Sequence, residues 1–213
     1  MKTLHRRLYF LPALVVFALM LPAMAFAQEP LEAPDALIAR ISTEVIDIAQ
    51  NDSSIQKGDM NQIAKVIEEK VMPYVDFEKT TSLTVGRFWR QATPAQRAEL
   101  SKLFHDLLFY TYASAISTIK QGSVLQLQPL RARPDATDVI VNTRIRIPRT
   151  PEPLTISYRL EKRSDGWKMY DVGVMGIWLV ESYRTTFANE IERNGIDGLI
   201  KVLREKSQSL KKG

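Results

Sequence analysis

The sequence predicts an α+β domain in which helices cover one face of an antiparallel sheet. Three observations support this fold class: apolar residues recur at helical spacing between Leu37 and Ile119, apolar and polar residues alternate from Gly122 to Val174, and helical spacing returns after Leu179. Short turn-forming stretches separate the alternating segments, so the strands should run antiparallel as a meander with helices packed on one face.

Residues 1–27 have the layout of a cleaved secretory signal peptide. Basic residues precede an apolar run that ends in small residues, with Ala25 and Ala27 at the cleavage positions. The apolar run is short for a bilayer span, so an uncleaved anchor is the less favoured alternative. The chain contains no cysteine, and an exported chain without disulfides fits the periplasm of a Gram-negative bacterium. We therefore expect cleavage before Gln28 and a periplasmic location.

The charge of the mature chain argues against nucleic-acid binding. The full sequence has a net charge of +5, but residues 1–27 hold three basic and no acidic residues, so the mature chain has a net charge of +2. Such a balance gives no compositional reason to expect a polyanionic partner.

Four helices are predicted before the sheet. The first carries Leu37, Ile38, Ile41, Val45 and Ile48 and ends at the polar stretch NDSSIQKGD. The second carries Ile63, Val66, Ile67 and Val71 and ends near Pro73. A short third helix covers DFEKTTSLTVGRFW and ends at Gly86.

The fourth helix has the clearest start in the chain. Thr93 can cap its N-terminus, Pro94 suits its first position, and Gln96 can complete a capping box. The helix has a broad apolar face, which predicts that a large apolar surface packs against it. The residues of this face are Leu100, Leu103, Phe104, Leu107, Leu108, Thr111, Tyr112, Ala115, Ile116 and Ile119.

Four successive strands should follow, at residues 123–131, 138–147, 154–162 and 167–174. In the second strand Val139, Val141, Ile145 and Ile147 alternate with polar residues, and in the third Leu154, Ile156, Tyr158 and Leu160 do so. Each strand thus has one apolar and one polar face.

Two helices close the predicted domain. The first carries Leu179, Val180, Tyr183, Phe187 and Ile191 and ends at Asn194-Gly195, and the second runs from Ile196 to Lys206. We expect residues 28–206 to form a single domain and residues 207–213, SQSLKKG, to be a solvated tail.

The sequence offers no obvious catalytic or metal-binding constellation. His105 is the only histidine after the signal peptide, and it falls at the edge of an apolar helix face rather than beside a partner base or ligand. Asp76 and Asp171 are better explained by structural hydrogen bonds than by acid-base work. We therefore predict no catalytic residue, no metal, no cofactor and no enzymatic activity.

Three stretches of the sequence carry a recognisable pattern, namely VGRFWRQATPAQRAELSKLFHDLLFYTYASAI, YDVGVMGIWLVESYRTTF and RNGIDGLIKVLREK. Together they resemble the MlaC family of periplasmic phospholipid-shuttle proteins, also called toluene-tolerance auxiliary proteins. The resemblance runs from about Ile41 to Lys206. It departs from the family pattern at Met175 and Trp178, where the family has Glu and Ser, and this difference could reshape the mouth of a pocket.

The resemblance implies a strongly bent sheet of the nuclear-transport-factor type and a helical subdomain, with a deep apolar pocket between them. It implies that the acyl chains of a glycerophospholipid lie in the pocket while the headgroup stays outside. It also implies lipid exchange with an outer-membrane lipoprotein–porin complex, MlaA with its porin, and with an inner-membrane ABC transporter complex through MlaD. The implied role is to maintain outer-membrane lipid asymmetry.

Candidate pocket residues follow from the apolar faces together with this resemblance. They are Phe88, Phe104, Leu107, Leu108, Tyr112, Val139, Val141, Ile145, Ile156, Tyr158, Val172, Val174 and Met175. Arg144, Arg146 and Arg159 form a candidate basic patch for a partner or a lipid headgroup, with an ordinary solvated face as the alternative.

Three alternatives to a phospholipid carrier stay open at this point. The cargo could be a hopanoid or another hydrophobic molecule, or the protein could be a structural envelope protein whose apolar faces form a filled core. An enzyme on the same scaffold is the least favoured, because no catalytic group has a visible partner.

Overall fold

The structure, a computed structural model, describes residues 31–212. These residues form six helices and a five-stranded antiparallel sheet. The predicted signal peptide lies outside these residues. The helices are α1 (Pro34–Asn51), α2 (Ser53–Gln56), α3 (Met60–Val66), α4 (Phe77–Val85), α5 (Pro94–Tyr112) and α6 (Leu179–Lys212). The strands are β1 (Val124–Leu127), β2 (Asp138–Arg146), β3 (Leu154–Arg163), β4 (Gly166–Val174) and β5 (Ile177–Trp178). The predicted α+β fold class is confirmed.

The helix ends follow the capping residues of the sequence. Thr93 and Gln96 form a reciprocal capping box at the start of α5, with Pro94 in the first turn. Gly86, at a φ of 63°, ends α4, and Gly195, at a φ of 71°, kinks α6 at the predicted boundary between the two closing helices. Helix α5 ends at Tyr112, earlier than its apolar pattern suggests, and continues as a 3₁₀ turn over Ala113–Thr118.

The sheet is a meander with strand order β1-β2-β3-β4-β5. In β2 the alternation is complete, with Val139, Val141 and Ile145 buried and Ile140 and Arg144 exposed. The predicted first strand extended to residue 131, whereas β1 ends at Leu127, shortly before Pro129, which has no N–H to donate to the ladder.

The β-bulge at Tyr170 interrupts the pairing of β3 with β4. Arg159 lies opposite Asp171 and Leu160 lies opposite Met169, so Tyr170 is the extra residue on β4. A bulge of this kind bends its strand and increases the local twist.

The fifth strand, β5, was not predicted from the sequence. Met175 and Gly176 both have positive φ values, 51° and 86°, and they reverse the chain so that Val174 pairs with Ile177. Positive φ at both central residues is the signature of a type I′ hairpin. The stretch interpreted as a strand-to-helix junction therefore contains a hairpin, and α6 begins only after it.

Three apolar cores hold these elements together. A helical core joins α4, α5 and α6 around Phe104, Leu107 and Phe187. A second core packs the first half of α1 on the sheet, with Ile38 against Val141. A third core joins the second half of α1 to α2, α3 and the end of β2.

The last residues of the chain do not form the predicted solvated tail. Helix α6 continues to Lys212, Ser207 is buried, and Leu210 packs against the helical core. Lys211 donates to the carboxylate of Asp106 on α5, at 2.9 Å, and so connects the end of α6 to α5. The folded domain therefore extends beyond residue 206.

No helix described for residues 31–212 combines the length and the hydropathy that a bilayer span requires.

Candidate functional site

An apolar cavity of about 230 Å³ lies between α1 and the inner face of the sheet. Helix α1 forms one wall, strands β2, β3 and β4 form the opposite wall, and the irregular segments after α3 and α5 close the sides. We call it the inner cavity. Its lining residues are Ile38, Ile41, Ser42, Val45, Ile46, Val71, Val75, Ala115, Ile116, Ile119, Ile145, Leu154, Ile156, Tyr158, Met169 and Val172.

The chemistry of the inner cavity suits hydrocarbon. None of the described residues that line it carries a charge, and Ser42 and Tyr158 supply its hydroxyl groups. Burial raises the pKa of Tyr158, and hydrogen bonding to Ser42 and Thr143 offsets this in part, so the phenol stays neutral. Burying a charged group in such a space would cost far more than burying a chain of methylenes.

The inner cavity occupies the boundary between two of the three cores. Ile38 and Ile41 belong to the core between α1 and the sheet, whereas Ile46, Ile119 and Ile145 belong to the core around α2 and α3. Between these cores, Ser42 and Val45 of the middle turn of α1 line the cavity. The space between the two cores is therefore the volume available to a guest molecule.

Irregular helical turns border the inner cavity on two sides. Val71 ends a π-helical turn, Ile67–Val71, and Ile116 lies in the 3₁₀ turn that follows α5. Such turns have poorer hydrogen-bond geometry than an α-helix and often occur at functional hinges. We therefore expect any movement of the cavity wall to occur at these two sides.

Four of the predicted pocket residues meet at the inner cavity, namely Ile145, Ile156, Tyr158 and Val172. Val139 and Val141 are buried on the same sheet face, but they fill the neighbouring core. Val174 is half-buried opposite Ile156. Met175 is 57% exposed at the hairpin turn.

The predicted residues on α5 and near it lie elsewhere. Phe104 and Leu107 are buried in the helical core, and Phe88 and Leu108 pack against it. The ring of Phe104 lies 5.1 Å from that of Phe187 on α6, centroid to centroid. The apolar face of α5 is covered by α4 and α6 rather than by the sheet, which leaves Tyr112 45% exposed.

Sequence reasoning missed the contribution of α1 to the inner cavity. The apolar stripe of α1 was visible as helical spacing, but the spacing alone could not show that it faces the sheet. The contribution of Ile116 and Ile119 to the inner cavity was also missed, because the apolar pattern placed both residues in a longer α5.

A polar cluster on the outer face of the sheet ties β3, β4 and α6 together. Asp171 is 3% exposed, and its carboxylate accepts from the backbone N–H groups of Val172 and Val180. Its other oxygen lies 3.0 Å from a guanidinium nitrogen of Arg159, and this guanidinium stacks on the ring of Trp178, 4.0 Å from its centroid. Burial raises the pKa of Asp171, although these N–H groups and Arg159 act in the opposite direction.

The basic patch predicted from the sequence separates into two parts. Arg159 is held in the polar cluster by Asp171 and Trp178, whereas Arg144 and Arg146 are exposed on the outer face of β2.

Asp76 makes structural hydrogen bonds, as the sequence predicts. Its carboxylate caps α4 by accepting from the N–H of Lys79, and it pairs with Arg163.

His105 lies outside the inner cavity. Its Nε2 is 3.2 Å from the carboxylate of Glu68, and its ring meets the ring of Phe77 edge-on at 5.4 Å between centroids. Within residues 31–212 no group of three or more His, Asp or Glu side chains is arranged to hold a metal ion. The described site therefore offers apolar volume rather than reactive groups.

Comparison with known proteins gives consistent matches. The sequence profile of the MlaC protein family matches residues 39–205. The intermembrane phospholipid transport system binding protein MlaC of Haemophilus influenzae is 27% identical over 158 residues, which cover 72% of each chain. The toluene tolerance protein ttg2D of Pseudomonas putida is 23% identical over 167 residues, covering 78% of this chain and 76% of that protein.

A solved structure matches as well. The phospholipid-binding protein of Ralstonia solanacearum, in complex with a phospholipid, superposes with a TM-score of 0.79 and 33% sequence identity, covering 84% of this chain and 99% of that chain. The profile match spans most of the sequence, and the solved structure shares its fold. The chain belongs to the MlaC family.

Proposed function

We propose that this protein is a periplasmic phospholipid carrier that holds acyl chains in the inner cavity. One observation carries the proposal: the inner cavity has an uncharged, almost wholly apolar lining in a fold shared with a protein that binds a phospholipid. A carrier needs no bond chemistry, only a dry space that replaces the bilayer during transit.

The energetics of transfer explain why such a cavity is needed. Each methylene moved from water to an apolar site gains about 0.8 kcal/mol, so a two-chain lipid free in water would face a cost of order 20 kcal/mol. The cavity must offset most of this cost. Lipid exchange should then be slow unless a membrane complex opens the cavity.

The inner cavity must expand to accept a whole lipid. Its volume is about 230 Å³. Ligand pockets typically enclose roughly 300–1,000 Å³, and a two-chain lipid lies toward the upper end of that range. The π-helical turn at Ile67–Val71 and the 3₁₀ turn at Ala113–Thr118 are the walls that we expect to move outward.

The partners in this proposal come from the family. We place the carrier between an outer-membrane MlaA lipoprotein–porin complex and an inner-membrane ABC transporter complex reached through MlaD, where it would maintain outer-membrane lipid asymmetry. In this role the protein acts in the periplasm, after removal of residues 1–27, and performs no catalysis.

Native mass spectrometry tests the proposal. The mature chain is purified from the periplasm without detergent, its mass is measured with any bound molecule, and the bound molecule is then extracted into organic solvent and identified. A stoichiometric diacyl phospholipid is the expected result. A polycyclic mass would make the cargo a hopanoid, whereas an empty chain that takes up no lipid from vesicles would contradict the carrier and favour a structural envelope protein.

A further inference from the structure

A second recess lies on the outer face of the sheet, on the side opposite the inner cavity. It is an open groove of about 890 Å³. We call it the outer groove. Its lining residues are Gln128, Pro129, Arg131, Ala132, Arg133, Ala136, Asp138, Val139, Ile140, Asn142, Arg144, Thr155 and Trp178.

The outer groove is distinct from the inner cavity. The two recesses share no lining residue. Strand alternation separates them along most of β2, because Ile140, Asn142 and Arg144 point outward while Val141 and Ile145 point inward. Val139 is the exception, since it lines the groove although it is buried in the core between α1 and the sheet. A ligand in the outer groove would therefore not compete directly with a lipid chain for space.

Positive charge dominates the outer groove. Arg131, Arg133 and Arg144 line it, against the single carboxylate of Asp138. That carboxylate already accepts from the hydroxyl of Tyr170, at 2.8 Å. Arg133 makes only a long, exposed contact of 3.6 Å with Asp135. Within the described part of the chain, Arg131 and Arg144 form no ion pair, so both guanidinium groups are available to an anionic partner.

The outer groove also contains a fixed aromatic platform. Gly173 lies against the ring of Trp178, where an added Cβ would be 3.0 Å from a ring atom, and Arg159 stacks on that ring. Because Asp171 holds Arg159 in place, the ring is fixed before any ligand arrives. Ile140, 44% exposed, adds an apolar contact in the floor. A partner thus meets arginines together with preformed apolar surface.

The shape of the outer groove favours an extended chain. Its floor follows β2 from Asp138 to Arg144, and at about 3.3 Å per residue this stretch is roughly 20 Å long. The segment between β1 and β2, with Pro129 and Ala132, also lines the groove. A single lipid headgroup would be too short to follow this length, whereas an extended peptide of about six residues would match it.

We propose that the outer groove docks an extended acidic segment of a partner protein. Guanidinium groups bind carboxylates through paired N–H donors. Arginines at separate positions along the groove can therefore each pair with a different acidic residue of an extended segment. An aromatic or apolar residue of the segment would pack on Trp178 and Ile140. The proposal does not depend on what the inner cavity carries.

Fluorescence polarisation with a labelled synthetic peptide tests this proposal. The probe is a short Glu-rich peptide containing one Trp, and its competitor is the same peptide with Gln in place of Glu. We expect the mature protein to bind the Glu peptide, with an affinity that falls as salt is added, and to bind the Gln peptide at least about tenfold more weakly.

Charge reversal within and beside the outer groove provides a matched pair. The double variant Arg131→Glu/Arg144→Glu should weaken binding of the Glu peptide by about tenfold or more. The double variant Arg146→Glu/Arg149→Glu is the control, because it changes the net charge by the same amount and both residues are exposed without lining the groove. We expect its affinity to stay within about twofold of the wild-type affinity. All three proteins should carry the same extracted lipid.

Three results would overturn the proposal. The Glu peptide could fail to bind, or Arg146→Glu/Arg149→Glu could weaken binding as much as Arg131→Glu/Arg144→Glu, which would indicate general charge attraction. Alternatively, vesicles with anionic phosphatidylglycerol could bind through Arg131 and Arg144 while the peptide does not, and the groove would then contact a lipid surface. Lipid extraction from the same samples tests the carrier function independently of the docking proposal.

Discussion

The buried carboxylate of Asp171 accepts a hydrogen bond from the backbone N–H of Val180, with 3.1 Å between Oδ1 and N. Val180 lies in the first turn of α6, where N–H groups have no partner within the helix. The same Oδ1 accepts from Val172, and Oδ2 contacts Arg159. One side chain of β4 therefore caps the helix that follows the β5 hairpin and fixes the direction in which it leaves the sheet.

Removing this carboxylate should destabilise the fold. We expect Asp171→Ala to lower the free energy of unfolding by about 2–3 kcal/mol, because two buried N–H groups and Arg159 lose their partner. Asp171→Asn should cost about 1 kcal/mol, since the amide oxygen can still accept from the N–H groups. Urea unfolding measures both.

The control for this prediction is Asp165→Ala. Asp165 also contacts a basic residue, Lys168, but its side chain is 64% exposed, so we expect a change within about 0.5 kcal/mol. Equal losses for Asp171→Ala and Asp165→Ala would mean that the cap contributes nothing beyond an ordinary surface pair.

The hairpin turn predicts a stabilising substitution. Met175 adopts a φ of 51°, which is unfavourable for a residue with a long side chain, and Gly176 follows it at 86°. Asn-Gly is the preferred pair for a type I′ turn, so Met175→Asn should stabilise the protein by about 0.5–1 kcal/mol. Thermal unfolding should show a Tm higher by roughly 1–4 °C.

Gly176→Ala provides the opposite change at the same turn. An added Cβ meets no atom within 4 Å, so the positive φ alone should make this variant less stable, by about 1 kcal/mol. A Tm that does not rise in Met175→Asn, or that does not fall in Gly176→Ala, would contradict the assignment of a type I′ turn.

Local patterns were sufficient to predict most of the elements. The capping box at Thr93 marks the start of α5, and strict alternation from Val139 to Ile145 identifies both β2 and its buried face. Strand β5 escaped prediction because its two residues are too short to alternate, and its turn uses Met175 where Asn is expected. The residue types of Met175 and Gly176 did not by themselves indicate that Met175 adopts a positive φ.

The candidate site was only partly predictable, for a different physical reason. Apolar periodicity shows that the faces of α1 and α5 are buried, but it does not show what covers them. In the structure α6 folds back over α5, so Phe104 fills the helical core, while α1 lies over the sheet and Ile41 faces the inner cavity. These pairings depend on contacts between residues far apart in sequence.

Acid should loosen the end of α6. Burial alone would raise the pKa of Asp106, but Lys211 and Lys102 act against it, and the pKa is lowered below its ordinary value of 3.8. A carboxyl group with a lowered pKa in the folded state stabilises the fold above its unfolded pKa, and this contribution is lost as the pH falls through the folded pKa. Protection factors for amide hydrogen exchange near Lys211, which correct for the intrinsic effect of pH on exchange, should therefore fall below about pH 4.

Asp106→Asn separates this effect from general acid unfolding. At pH 7 the variant should be less stable than the wild type by about 1 kcal/mol, and the difference should disappear in acid. Glu99→Gln, which disrupts an exposed pair with Arg204, is the control and should change stability by less than about 0.5 kcal/mol. A constant difference between Asp106→Asn and wild type across the pH range would show that Asp106 acts through packing rather than charge.

Filling the inner cavity should reduce lipid binding without affecting the rest of the fold. Ile156 lines the cavity from β3, so Ile156→Trp places a large ring in the space proposed for acyl chains. Ile140→Trp is the matched control, because Ile140 lies on the neighbouring strand but faces outward. Overfilling a packed space typically costs about 1–3 kcal/mol, so we expect Ile156→Trp to hold roughly tenfold less phospholipid than wild type in a vesicle-uptake assay, with Ile140→Trp unchanged. Equal uptake by both variants would mean that lipid chains lie outside the inner cavity.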